Sequence, residues 1–177
     1  MNIFYLDKDP YIAAQAMTDK HVVKMILESA QLLSTAHHML DGDEAKHKDK
    51  LYKKTHYNHP SAVWVRQSQE NYAWLYSHFL ALSTEYTKRY DKIHMTYQKL
   101  CFYLQPFPKN LPVGKFTQPP QAMPDLYKNY DSVHAYRMYY LNEKIKNDND
   151  LVRFVKILDK NNNFGGGINN EQRFESN

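Results

Sequence analysis

Along residues 18 to 40, TDKHVVKMILESAQLLSTAHHML, the side chains able to accept, donate or carry a proton fall into one column. His21, Lys24, Glu28, Gln31, Thr35 and His38 step by three or four, the spacing that stacks side chains on one face of a helix. The other positions, among them Val22, Val23, Met25, Ile26, Leu27, Leu32, Leu33 and Met39, are apolar nearly all round, as in a buried helix. A carboxylate held between apolar walls and beside a cation can shuttle a proton or stabilise a cationic intermediate. The same column also fits the wet edge of an otherwise buried helix, with Lys24 and Glu28 as an ordinary i,i+4 pair. Spacing alone supports both readings.

The elements that would hold this column read as an all-α fold, one helical domain over residues 1–160 with a flexible tail at 161–177 and minor β structure at most. Asp9 and Pro10 open a short helix before the column, which ends near Leu40 where DGDEAKHKDK forms a surface loop. At NHPSAVWVRQSQENYAWLYSHFLALSTEYTKRY, Asn58 or His59 caps a helix that starts at Pro60 and runs on as one long amphipathic element. A further helix covers DKIHMTYQKLCFYL, and Asp131 caps another over SVHAYRMYYLNEKIK. Between these, residues 105–124 hold six of the 8 prolines and must form a loop or linker. NIFYL and the region around residue 153 are the candidate strands, the latter equally readable as a short helix.

The net charge of +4 is modest and unevenly spread: residues 61–118 hold seven basic residues against three acids, while both flanks balance. That excess and the 15 tyrosines suit contact with nucleic acid, since a tyrosine ring can stack on a base or pack in a core. KHKDKLYKK could track a phosphate backbone or be a solvated loop, and Tyr136 and Tyr140 could stack on bases or pack internally. Cys101 alone cannot form an internal disulfide, and its apolar neighbours point to a structural thiol. His56 and His59 have metal-compatible spacing but no metal motif, so no metal is expected. No apolar run is long enough for a membrane helix, and MNIFYLDKDP shows no secretory signal, so a cytoplasmic protein without membrane contact is expected.

TDKHVVKMILE resembles a segment of the bacteriophage pyrimidine-dimer DNA glycosylase family, also called endonuclease V, in which Asp-Gln-His is followed by a glutamate seven residues after the histidine. Asp19, His21 and Glu28 fall on the matching positions. STEYTKRY in the long helix and LNEKI at 141–145 resemble two further family segments in the same order. The resemblance implies an all-helical, phage-type DNA-repair enzyme without cofactor, acting as a monomer on damaged or modified double-stranded DNA. It implies an N-glycosylase, with AP-lyase activity, whose nucleophile is the α-amine of Met1 and whose essential carboxylate is Glu28. An α-amino group ordinarily titrates near ~8, far below a lysine, and so can attack the C1′ of a damaged nucleotide at neutral pH. His21 joins Met1 and Glu28 as a catalytic candidate. Asn2, Lys20, Lys24, Gln31, Lys53, Lys54, Arg66, Lys88, Arg89 and Arg137 are the candidate DNA contacts. The family's arginines immediately before and three residues after the catalytic glutamate are replaced here by Leu27 and Gln31, and its aromatic C-terminal segment is matched only by LVRFVK. Two other readings remain compatible with the residues: a non-catalytic nucleic-acid-binding module, and a regulatory protein that binds a nucleotide or a host protein in the same cleft.

Overall fold

The Asp9-Pro10 start holds. In the computed structural model, which describes residues 1–161, α1 spans Pro10–Gln15, and the Asp9 side chain accepts from the amides of Tyr11 and Ile12. Pro10 sits in the first turn, where no intrahelical N–H is required. Thr18 caps α2 (Asp19–Asp41) by accepting from the His21 amide. There follow α3 (Pro60–Val65), α4 (Gln69–Tyr90), α5 (Met95–Leu104), α6 (Ser132–Glu143) and α7 (Asp148–Lys160), with 3-10 turns at Gly42–Glu44 and Asp125–Tyr127. Among the described residues there is no strand, and the fold is all-α. No helix of these residues is long and apolar enough to cross a membrane.

At the centre α2 lies against α4; α1 also packs on α4, α3 and α5 pack on α2, and α7 reaches α1. Met25, Ile26, Leu32, Leu33, Leu75, Phe79 and Leu82 are buried in this core, each worth roughly 1.5–3 kcal/mol by removal from water. The column helix is less enclosed than its sequence suggests. Val23, Leu27 and Met39 are exposed, so α2 shows one open apolar-flanked edge instead of being covered all round.

Two expectations change, at Pro60 and at NIFYL, and the open alternative around residue 153 is decided. The helix that starts at Pro60 breaks at residues 66–68, because Ser68 takes an extended backbone and caps a new helix by accepting from Asn71. Gly114 lies against that break, where an added Cβ would meet the Ser68 Cβ at 3.1 Å. The stretch around residue 153 is helical: Asn147 caps α7 through the Asp150 amide, and Phe154 and Leu158 are buried on one face. NIFYL is not a strand. Asn2 Oδ1 accepts from the amides of Ile3 and Phe4, Phe4 adopts a left-handed φ of 53°, and residues 3 to 7 are all buried, so both parities of the segment face protein. A non-glycine left-handed residue costs about 1–3 kcal/mol. Phe4 offsets this by stacking on His21 at 4.6 Å and meeting Tyr140 edge-on at 5.2 Å.

The proline-rich stretch is an ordered loop held by helix side chains. Asp41 accepts from the amides of Lys109 and Asn110, Asn71 from that of Thr117, and Gln118 accepts from the Ser132 amide at the start of α6. Prolines leave few loop amides to satisfy, and side chains supply acceptors for several of those that remain. Of the tail expected at 161–177, all but Asn161 lies outside the described residues.

Candidate active site

The polar column of α2 serves two irregular segments. In its lower half, Thr35 exchanges hydrogen bonds with the backbone of Thr55, and His38 Nε2 bonds the Tyr52 carbonyl, so residues 52–55 run along the helix. In its upper half the N-terminal segment lies over Glu28, whose Oε2 accepts from the Asn2 amide at 3.1 Å. Glu28 Oε1 is 3.3 Å from Lys24 Nζ; the Lys24 side chain is 60% exposed and that of Glu28 only 13%. The carboxylate is therefore half enclosed, with a cation on its open side. That pair alone contributes a few tenths of a kcal/mol.

The chain's first nitrogen precedes the Asn2 amide by one residue, roughly 4 Å along the backbone. Asn2 Nδ2 donates to the Ala122 carbonyl at 2.9 Å while its Oδ1 holds the next two amides, which fixes the residue following the amine. His59 caps α3 by accepting from the Ser61 amide. Its pKa is lowered by burial first, then by the α-amine and His56, against the opposing pull of Glu28. His59, the amine and Glu28 thus share one electrostatic neighbourhood.

His21 is held on two sides. Its Nδ1 bonds the Tyr140 hydroxyl at 2.7 Å and its ring lies on Phe4. Burial, then Lys144 and Lys24, push its pKa down to about 4 against Glu28, so the ring is neutral at pH 7. Its visible work is packing the N-terminal segment onto α2.

The expected DNA contacts divide. Lys20, Lys53, Lys54 and Lys88 are exposed, and Gln31 is half-buried one turn beyond Glu28. Arg66 bonds the carbonyls of Tyr57 and Ala62, and Asn2 is spent on the segment it anchors. Arg89 and Arg137 are engaged within the protein. Arg89 bridges Glu85, Asp19 and the carbonyls of Gln15 and Met17, tying the end of α4 to the turn before α2. Arg137 binds Asp7 at 2.7 Å and the Leu6 carbonyl, with the Arg137 and Asp7 side chains 12% and 7% exposed. Both guanidiniums hold the fold. Tyr136 and Tyr140 are fully buried, so packing wins over base stacking there. His56 bonds Thr55 Oγ1, and half-buried Cys101 offers its carbonyl to Tyr76.

Sequence reading missed several neighbours of this site. Lys144, from LNEKI, reaches the field of His21 and lies 4.6 Å over the Tyr139 ring. A cavity of about 720 Å³ opens beside the anchored N-terminus, walled by Pro60, Pro119–Ala122, Lys128–Tyr130 and Ser132. Ala122, which holds Asn2, and Pro60, which follows His59, join its wall to the amine's surroundings. A second cavity, about 590 Å³, is lined by Tyr5, Trp74 and Phe116 and by Gln118, Asp131 and Val133, the immediate neighbours of residues in the first. Nothing in helical periodicity marks the loop that builds these walls.

The N-terminal segment of a helical domain is thus laid over a shielded, cation-paired glutamate. A model of the pyrimidine dimer DNA glycosylase family matches residues 1–98 of the 177, which include Asn2, His21, Lys24 and Glu28. The chain belongs to that family, a family of DNA glycosylases of DNA repair whose substrate is DNA. No curated protein and no solved structure matches the chain.

Proposed function

We propose that the protein excises a damaged base from duplex DNA, with the pyrimidine dimer of its family as the first substrate, and then nicks the strand as a lyase. The Met1 amine attacks C1′ of the damaged nucleotide, and the glycosidic electrons leave with the base. The attached nitrogen then loses a proton, O4′ takes one up and the C1′–O4′ bond breaks, which opens the sugar to an iminium whose positive charge a nearby carboxylate stabilises. Glu28 is that group, and it also accepts the proton lost from C2′ when β-elimination expels the 3′ phosphate. Lys24 pairs with the carboxylate on its open side, and Lys20, Lys24 and Lys144 meet phosphates on either side of the opened nucleotide. The protein acts as a monomer without a metal or organic cofactor.

The observation that carries this reading is the hydrogen bond from the Asn2 amide to Glu28, which tethers the chain's first residue within one step of an enclosed carboxylate. Leu27 and Gln31 stand where the family has arginines, so the lysines carry more of the phosphate grip here. The test is nicking of ultraviolet-irradiated supercoiled plasmid against unirradiated plasmid. Dose-dependent conversion to open circles supports the reading. Binding with a steep salt dependence but no nick or base release on dimer-containing duplex would replace it with a non-catalytic DNA-binding protein.

A further inference from the structure

Tyr130 is 95% exposed, the most exposed of the protein's large apolar side chains among the described residues, and it makes no hydrogen bond or ring contact there. Its backbone is nevertheless built. Gln121 clamps the preceding residue from both sides, accepting from the Asn129 amide at 2.9 Å and donating to the Asn129 carbonyl. Asn129 Oδ1 in turn accepts from the Asp131 amide, and Gln118 accepts from that of Ser132 at 2.7 Å. Residues 129, 131 and 132 are thus fixed around an aromatic ring that is held out in water.

The clamped loop forms the rim of the 720 Å³ cavity, and Ala122 on the same rim holds Asn2. Lys128, two residues earlier, presents a half-exposed ammonium paired with Asp125 at 2.7 Å. An aromatic ring, a cation and the anchored N-terminus therefore share one opening. Drawing a nucleotide out of a duplex leaves a gap in the stack, and a ring inserted there replaces lost stacking whatever the sequence.

We propose that Tyr130 is a positioning residue that enters the base stack when a damaged nucleotide is drawn toward the N-terminus. This rests on the glycosylase reading for its substrate, but its geometry is independent of the chemistry at Glu28. The ring touches no reacting atom; it holds the opened duplex open.

The experiment compares wild type with Tyr130→Ala and Tyr130→Phe on one dimer-containing oligonucleotide, presented as duplex and as single strand. Tyr130→Ala should release base from the duplex roughly 10- to 100-fold more slowly, the stacking contribution of one base, with single-strand release and melting temperature unchanged. Tyr130→Phe should restore the duplex rate. A second arm uses Glu28→Gln with 2-aminopurine beside the lesion: fluorescence should rise on binding and fail to rise when Tyr130→Ala is added. Equal duplex rates and equal fluorescence with and without the Tyr130→Ala substitution would overturn the proposal, as would equal loss on duplex and single strand. If wild type releases no base from either substrate, the glycosylase reading fails, and the fluorescence arm alone decides for Tyr130.

Discussion

Replacing Asn2 by leucine tests how the N-terminal segment is held. Leucine matches asparagine in size but removes the acceptor for the Ile3 and Phe4 amides and the donor to Ala122. Ile3 and Phe4 are buried, and each of the two amides stripped of its acceptor away from water costs about 1–3 kcal/mol, so Asn2→Leu should destabilise the fold by roughly 2–6 kcal/mol. Phe4 already sits at a left-handed φ, and the lost bonds are those that hold it there. The second effect is on position. A displacement of about 1 Å in a reacting group can cost 10²-fold in rate, so base release at saturating DNA should fall by about that factor while DNA affinity holds. Asn2→Asp keeps the acceptor and loses only the donor, and its stability should lie between the two. Urea unfolding followed by single-turnover release on a dimer oligonucleotide reads both quantities. An Asn2→Leu protein that unfolds at the wild-type urea concentration and releases base at the wild-type rate would refute the reasoning.

Acid should weaken the fold through its buried histidines. His21, His37 and His78 are each pushed down to about 4 by burial, so between that value and the ordinary 6.5 the unfolded chain binds protons that the folded one refuses. Stability is therefore full above about pH 6.5 and falls as pH drops toward 4, by up to roughly 1.4 kcal/mol per pH unit for the fully buried His78, whose Nδ1 bonds the Pro10 carbonyl and whose Nε2 has no partner. Equal urea midpoints at pH 7 and pH 5 would contradict this. Arg137→Leu should cost about 3–5 kcal/mol by leaving Asp7 with a buried carboxylate stripped of this cation, while the salt dependence of DNA binding stays unchanged; a shallower salt slope in a folded variant would return Arg137 to the DNA interface.

Much of the helical frame is legible because its signals are local. Asp9 with Pro10, His59 with Pro60, and Asp131 each mark a helix start within a few residues, and the column from His21 to His38 follows from periodicity alone. What stays hidden depends on partners far along the chain. Arg137 meets Asp7, and Arg89 meets Asp19, so arginines that look free for phosphate in the sequence are consumed by the fold. The break at Ser68 escapes notice because Asn71, an ordinary helix residue by pattern, turns its amide to Thr117 and the Trp64 carbonyl. Glu28 stands out by its spacing, but its covering residue does not, since no periodicity relates position 2 to position 28. The loop that carries Tyr130 and the cavity wall is built from Gln118 and Gln121, whose roles appear only in three dimensions.

Borohydride reduction of the protein on a dimer-containing duplex, followed by proteolysis and mass spectrometry of the adduct, addresses the chemistry most directly. The DNA-derived mass should lie on the N-terminal peptide at the Met1 amine, acetylating this amine should abolish trapping, and Glu28→Gln should abolish base release. An adduct on Lys20 or Lys24, or undiminished base release from protein with a blocked amine, would contradict the assignment of the Met1 amine as nucleophile.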